Sequence, residues 1–314
     1  MTVAGSAADP AAASQLAAVE RAVTRMRDNL ADQQYLIDHA EAGLFSPFHF
    51  HRVFRSITSV TPARFLAALR MAEAQRLIIR ESPRIIDVCT AVGYSSLGTF
   101  TTQFTRLVGL SPRRYQTMVE EYGQCPVADL LPVAAPGDHL DRADRADRGD
   151  RGDQGERTDR TDRTDRTDRT DRTDRTGIVG HIIGPPTAEW AAAPDGLCLT
   201  GMFPYGVPQQ APLSCTMTSG LGRVLLPSPQ APGRPQDRCR ILAVWFPADL
   251  RVVDLLDDSA GQHRRVGSTT APPQAAAGRT APFRVFLHRP LPSDPPMVYA
   301  LPLLLAGHRL PLAT

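Results

Sequence analysis

The chain has 314 residues, 42% of them apolar and 22% charged, at a net charge of +2, and no apolar run approaches the ~20 residues that span a bilayer, so two domains of ordinary size and no membrane partner are expected. All 35 basic side chains are arginine and none is lysine, which makes every cation a planar guanidinium. The five cysteines (Cys89, Cys125, Cys198, Cys215 and Cys239) form no C-x-x-C pair and no even framework, which fits a reducing, cytoplasmic setting.

Residues 1–13 lack the basic start and apolar core of a signal peptide and are expected to be disordered. Leu16, Val19, Val23, Met26 and Leu30 then mark an amphipathic first helix. Downstream, Ser/Thr-Pro recurs as a helix-start signal at Ser46-Pro47, Thr61-Pro62, Ser82-Pro83 and Ser111-Pro112.

The stretch FHFHRVFR at 48–55 follows the first of these starts. Phe50, Val53, Phe54 and Ile57 recur at i, i+3, i+4, i+7, the stripe of a helix packed on a core. His49 and His51 lie about 200° apart on such a helix, two steps of roughly 100°, and no Glu or Cys stands at ligand spacing, so no metal site is expected. The outward face, Phe48, His51, Arg52 and Arg55, is basic and aromatic; taken alone it reads equally as a solvated helix face or as a surface for something acidic.

The segment repeats itself at a spacing of fifty residues. Gly43 recurs as Gly93, Ser46 as Ser96, Phe50 as Phe100, Phe54 as Phe104, Ile57 as Leu107, Thr61-Pro62 as Ser111-Pro112, Arg64 as Arg114 and Phe65 as Tyr115. Each copy reads helix, glycine turn, helix, then S/T-P opening a further helix, the grammar of a helix-turn-helix. Across residues 46–115 ten arginines (52, 55, 64, 70, 76, 80, 84, 106, 113 and 114) face three acids (Glu73, Glu81 and Asp87), a local +7 suited to a polyanion.

GLFSPFHFHRVFRSITSVTPARFLAALRMAEAQRLI, followed by IIDVCTAVGYSSLGTFTTQFTRLVGLSPRRY, resembles the DNA-binding domain of the AraC/XylS transcription regulators over about residues 16–120, most specifically in G-Y-S-S-x-x-x-F-x-x-x-F-x-R-x-x-G-x-S-P-x-x-Y at 93–115. The resemblance implies seven helices in two helix-turn-helix subdomains joined by a central helix at about 62–80, with two recognition helices entering successive major-groove segments of double-stranded DNA. It places Phe48, His51 and Arg52 against bases in the first copy, with Arg55 better set for phosphate and His49 flanking or structural. In the second copy Gly98, Thr99, Thr101 and Thr102 are the base-facing candidates, and Ser96, Thr105, Arg113 and Arg114 the phosphate candidates. Thr102 stands where the first copy has Arg52, so base readout is expected to be asymmetric; Leu97 reads either as part of the inward stripe or as an exposed position. A bacterial regulator of this kind is also expected to contact RNA polymerase.

Residues 124–176 read as a disordered linker; residues 138–176 repeat D-R-A and D-R-G and then strict T-D-R, and in that repeat no apolar residue offers a core. Residues 177–314 hold twenty of the 28 prolines and break into short apolar runs (GIVGHII, LCLTGMF, LSCTMTS, GRVLL, CRILAVWF, LRVVDLL, FRVFL and MVYALPLLL), which suggest an all-β sandwich. GRVLLPSPQAPG…CRILAVWFP weakly resembles prealbumin-like or carbohydrate-binding sandwiches. Catalytic motifs (G-x-S-x-G, a P-loop, G-x-G-x-x-G, H-E-x-x-H) are absent, and His181, His263, His288 and His308 are scattered. Trp190, Phe203, Tyr205 and Trp245 read as core or as the lining of an apolar pocket. Some relatives of this DNA-binding fold carry an alkyl-accepting cysteine in a Pro-Cys-His-Arg setting, and the nearest approach, Gln124-Cys125-Pro126, lacks that motif.

The expected protein is therefore multidomain, α plus β: an N-terminal all-α double helix-turn-helix domain (14–123), a disordered linker, and a C-terminal β-rich domain (177–314). No enzyme activity, cofactor or metal is expected. The β domain is left as sensor of a small-molecule effector, homodimerisation or partner module, or enzyme, tethered flexibly to the DNA-binding part.

Overall fold

The computed structural model describes residues 10–81, 83–130, 177–185, 196–204, 208–209, 212–227, 239–257, 264–272 and 281–298. The T-D-R repeats, Trp190, Tyr205, His263, His308 and the run MVYALPLLL beyond Val298 lie outside the described residues.

Among the described residues, eight helices come first: α1 (Pro10–Asp28), α2 (Leu36–Gly43), α3 (Pro47–Thr58), α4 (Pro62–Glu81), α5 (Ile85–Ala91), α6 (Leu97–Val108), α7 (Pro112–Tyr122) and α8 (Val127–Leu130). Helix α1 starts at Pro10, so residues 10–13, expected to be disordered, are its first turn. Three S/T-P pairs put proline at the first helical position, where no amide hydrogen is needed. The fourth does not: α5 opens at Ile85 behind Arg84, two residues after Pro83.

The fifty-residue repeat is written into the packing. Helices α3 and α6 have twelve residues each, behind Ser46 and Ser96, and both end in a left-handed residue, Ser59 (φ 65) and Gly109 (φ 92). In the first copy, Phe50, Phe54 and Phe65 stand in series with ring centroids 5.4 and 5.4 Å apart. In the second, Phe100, Phe104 and Tyr115 stand at 5.6 and 5.6 Å. All six rings are fully buried, so each outward-facing helix is braced on the helix after it by a tilted and then edge-on ring contact.

The glycines of the repeat are not equivalent. In the second copy Gly93 is the left-handed residue (φ 80), and Tyr94 N then donates to Cys89 O. In the first copy Leu44 takes that conformation (φ 61), and Phe45 N donates to Ala40 O. The register before the turn is therefore 49, and the second turn is one residue longer. Gly43 instead ends α2 where an added Cβ would stand 3.3 Å from the Phe50 ring.

Among the described residues, the C-terminal region has seven strands: β1 (Gly177–Ile183), β2 (Gly196–Phe203), β3 (Ser214–Ser219), β4 (Gly222–Pro227), β5 (Arg240–Pro247), β6 (Arg265–Thr270) and β7 (Phe283–Phe286). One sheet has the order β4-β1-β7, with β1 and β7 parallel, and the other the order β3-β2-β5-β6. Ile178, Ile182, Val224 and Val285 from the first sheet join Cys198, Met202, Ile241 and Trp245 from the second in one apolar cluster. Phe203 and Trp245 point to opposite faces, because Phe203 pairs with Arg240 and Trp245 with Cys198, so they do not line one pocket. Strand β6 (RVGSTT) was not among the expected runs, since it lacks an apolar alternation. LRVVDLL, expected as a strand, is instead a short helix, α9 (Val252–Leu256); a brief apolar run carries no period that separates strand from buried helix.

Helix α9 joins the C-terminal region to the helical domain; residues 131–176 of the expected tether lie outside the described residues. The helix packs its buried Val252, Leu255 and Leu256 into the same apolar cluster as the helical domain. Val253 N donates to Gly123 O at 3.0 Å, Val252 N to Cys125 O at 3.1 Å and Val127 N to Leu250 O at 2.9 Å. Arg80 of α4 reaches Asp257 at 2.8 Å. Residues 124–130, expected as linker, are thus part of the junction. The outer face of the four-stranded sheet, with Leu197, Leu199, Val244 and Phe246, joins that cluster too. Strand β2 is consequently buried along its whole length, which is why it reads as a continuous apolar run.

Candidate nucleic-acid interface

On α3 the inward stripe settles what faces out. Phe48 is 80% exposed, Arg52 and Arg55 are exposed, and His51 is half-buried. His49, off this face, lies edge-on to Phe45 with centroids 4.7 Å apart. Its Nδ1 also lies 3.3 Å from an Arg52 guanidinium nitrogen, so His49 restrains the side chain with most reach on this face. Leu44, at the turn before α3, is 82% exposed and was not singled out beforehand; nothing in the sequence distinguishes a left-handed, outward leucine from a core one.

On α6, Gly98, Thr99 and Thr102 are exposed and Thr101 is half-buried. Ser96 accepts a hydrogen bond from Thr99 N at 3.4 Å, and the Thr105 hydroxyl donates to Thr101 O at 2.7 Å. Both hydroxyls are thus engaged within their own helix. Leu97 is 42% exposed, which resolves its ambiguity toward the surface.

The arginines divide by partner. Arg70 donates to Leu30 O and Asp32 O and lies over the Tyr94 ring, 5.7 Å from its centroid. Arg76 pairs with Glu73, Arg84 with Asp87 and Arg80 with Asp257. Arg70, Arg76 and Arg80 are engaged within the fold while the Arg84–Asp87 pair lies on the surface, and a Glu73 hydrogen bond, followed by nearby carboxylates, drives the Arg76 pKa up further. Arg52, Arg55, Arg113 and Arg114 are exposed and form no ion pair with a carboxylate among the described residues. Arg113 and Arg114 open α7, where Ser111 caps Arg114 N at 3.4 Å. By the fifty-residue register Arg64, exposed at the start of α4, is the counterpart of Arg114 and belongs with the phosphate candidates. The repeat itself carried that signal.

The family profile described as "Helix-turn-helix domain" matches residues 40–118, from the second half of α2 to α7. Residues 40–118 are an AraC-type helix-turn-helix domain. It is similar to an uncharacterized HTH-type transcriptional regulator of Bacillus subtilis, YbfP, at 27% identity over 105 residues, 33% of this chain and 36% of that protein. It is also similar to AdaA of the same organism, a bifunctional transcriptional activator and DNA repair enzyme, at 30% identity over 73 residues, 23% of this chain and 35% of that protein. Among solved structures, a DNA-binding transcriptional dual regulator from Escherichia coli K-12 aligns at 27% identity with a TM-score of 0.30, covering 32% of this chain and 95% of that one. The chain spans about a third of the length of the curated relatives it matches first.

Around the helix-turn-helix domain, no helix among the described residues is long and apolar enough to cross a membrane. Its long helix α4 carries the buried side chain of Gln75, which lies beside the Tyr115 hydroxyl without meeting hydrogen-bond geometry. Burial drives the Tyr115 pKa far above the usual phenol value.

Proposed function

We propose that the chain is a sequence-specific transcription regulator that binds double-stranded DNA through two helix-turn-helix units, α2–α3 and α5–α6, and has no catalytic activity. One observation carries this reading: the same ring-braced scaffold occurs twice, fifty residues apart, and each time leaves one helix face exposed in a segment with an AraC-type profile. The recognition helices then address major-groove segments about one helical turn, ~34 Å, apart.

Arg52 forks onto guanine O6 and N7, His51 donates to a base or phosphate, and Phe48 presses on a thymine methyl. Gly98, Thr99, Thr101 and Thr102 offer small contacts that discriminate bases weakly, so the first unit sets sequence and the second mainly affinity. Arg55, Arg64, Arg113 and Arg114 neutralise phosphates, with Ser96 and Thr105 at the edge of the same face. On a selected site, Arg52→Ala in the full chain is expected to cost ~1–3 kcal/mol and to relax one base position, whereas Thr102→Ala costs less and relaxes none. A threonine variant that relaxes base preference more than the arginine variant would overturn the asymmetry.

The β-rich domain, read as a two-sheet sandwich, serves a ligand-sensing or dimerising role. Its apolar junction with α4 and α7 gives a bound effector a packed route to the DNA-binding helices, where a loose tether would transmit little. Homodimerisation through the four-stranded sheet is disfavoured, because that sheet is already covered on both faces. A repair reading lacks its motif, because Cys125 stands in Gln124-Cys125-Pro126 and not in a Pro-Cys-His-Arg setting.

A further inference from the structure

The three-stranded sheet turns Ile178, Ile182, Val224, Leu226, Phe283 and Val285 inward. Its other face carries an ordered row of basic side chains. In register, His181 of β1 stands directly opposite Arg223 of β4 on one side and Arg284 of β7 on the other. Residues directly opposite on paired strands point to the same face, and all three of these are exposed. Two arginines on strands about 10 Å apart thus flank a histidine, given a strand spacing of about 4.8 Å.

The neighbouring outward rows, Val179 with Leu225 and Ile183 with Phe286, contain no acid, and Phe286 is 62% exposed at one end. No carboxylate among the described residues pairs with Arg223, Arg284 or His181. Elsewhere the exposed arginines Arg84 and Arg251 do find acids, Asp87 and Asp254, within one helical turn. A linear, acid-free row of this kind serves no packing purpose, and bringing cations together on one sheet face costs stability.

We infer that the Arg223–His181–Arg284 row is a second, sequence-independent contact to the phosphates of duplex DNA; the inference rests on the DNA-binding reading given above. Charge complementarity argues for a polyanion, and guanidiniums grip phosphate through two parallel donors. The row is long enough to meet more than one phosphate of a duplex, whose charges recur every ~3.4 Å of helix axis on each strand. The four-stranded sheet separates this face from the helical domain, so the contact is made to duplex outside the segment that α3 and α6 read.

The test uses the full chain, a 60-base-pair duplex of random sequence, and affinity followed from low to high salt. Arg223→Gln with Arg284→Gln is expected to lower the slope of log affinity against log salt by about 2, since each lost phosphate contact removes about 0.9. The double variant is expected to unfold at the same or a higher temperature than the unaltered chain, because it removes only exposed like charges. An unaltered chain that binds the duplex beside a double variant of identical affinity and slope overturns this inference and leaves the regulator reading standing. The same identity accompanied by lost binding of poly-glutamate would reassign the row to an acidic protein and equally overturn it. An unaltered chain that binds no duplex overturns both readings.

Discussion

Helices α3 and α6 have the same length, start behind a serine and lean on the same three-ring brace, yet one turns Phe48, His51 and Arg52 outward and the other Gly98, Thr99 and Thr102. What the two copies share is what the fold requires; what they do not share is free to specify a partner. The inward positions are held by close packing, where losing a ring leaves a cavity. The outward positions are constrained only by what they touch.

The comparison is broken most severely at the brace. Phe54→Ala and Phe104→Ala are each expected to lower stability by about 3–5 kcal/mol, measured by denaturant unfolding, and by similar amounts. Markedly unequal losses would show that the copies are alike in outline but not in load.

The turns come next. Gly93→Ala would place a Cβ 2.6 Å from Leu30 O at a positive φ and is expected to cost roughly 2–3 kcal/mol. Leu44→Gly, at the equivalent residue of the first copy, is expected to gain about 1 kcal/mol, since it relieves a left-handed leucine that is not packed in the core. A loss there would mean that Leu44 makes a contact that outweighs its strain.

A smaller effect separates the third rings. Tyr115→Phe converts the second brace into a copy of the first and removes a buried hydroxyl that makes no hydrogen bond, for an expected gain of about 1 kcal/mol.

The smallest is a difference in pH response. His39 of α2 is buried and corresponds to Val88 of α5 in the 49-residue register. Burial lowers its pKa, against the pull of Asp38 and with the help of Arg25. The unfolded chain therefore takes up the proton more readily than the folded one. Stability from this residue is present above about pH 6.5 and is lost as pH falls below it. His39→Val is expected to flatten unfolding free energy against pH between about 5 and 7.

Much of the helical half was legible in the sequence, because its signals are local: a proline after serine or threonine, a stripe at helical spacing, and one pattern written twice. The failures there were also local in cause. Leu44 takes the conformation expected of a glycine, and Ser82-Pro83 sits two residues ahead of its helix. The ten arginines looked alike in sequence, and only the fold shows that Arg70 and Arg80 are taken up by partners far away in the chain. In the β-rich half the strands were visible as runs, but VVDLL became a helix because the surface it covers belongs to α4 and α7, far away in the chain. The cation row on β4-β1-β7 could not be read at all, since Arg223, His181 and Arg284 become neighbours only through strand register.

The most direct test of the central claim is selection of duplexes from a randomised pool by the full chain, with the affinity of the enriched site followed against salt. Two helix-turn-helix units of unequal reading power predict one enriched motif, strongly specified in one half and weakly in the other about one helical turn away, with a steep salt dependence. Binding without any enriched motif, or no binding by the folded chain, would contradict it.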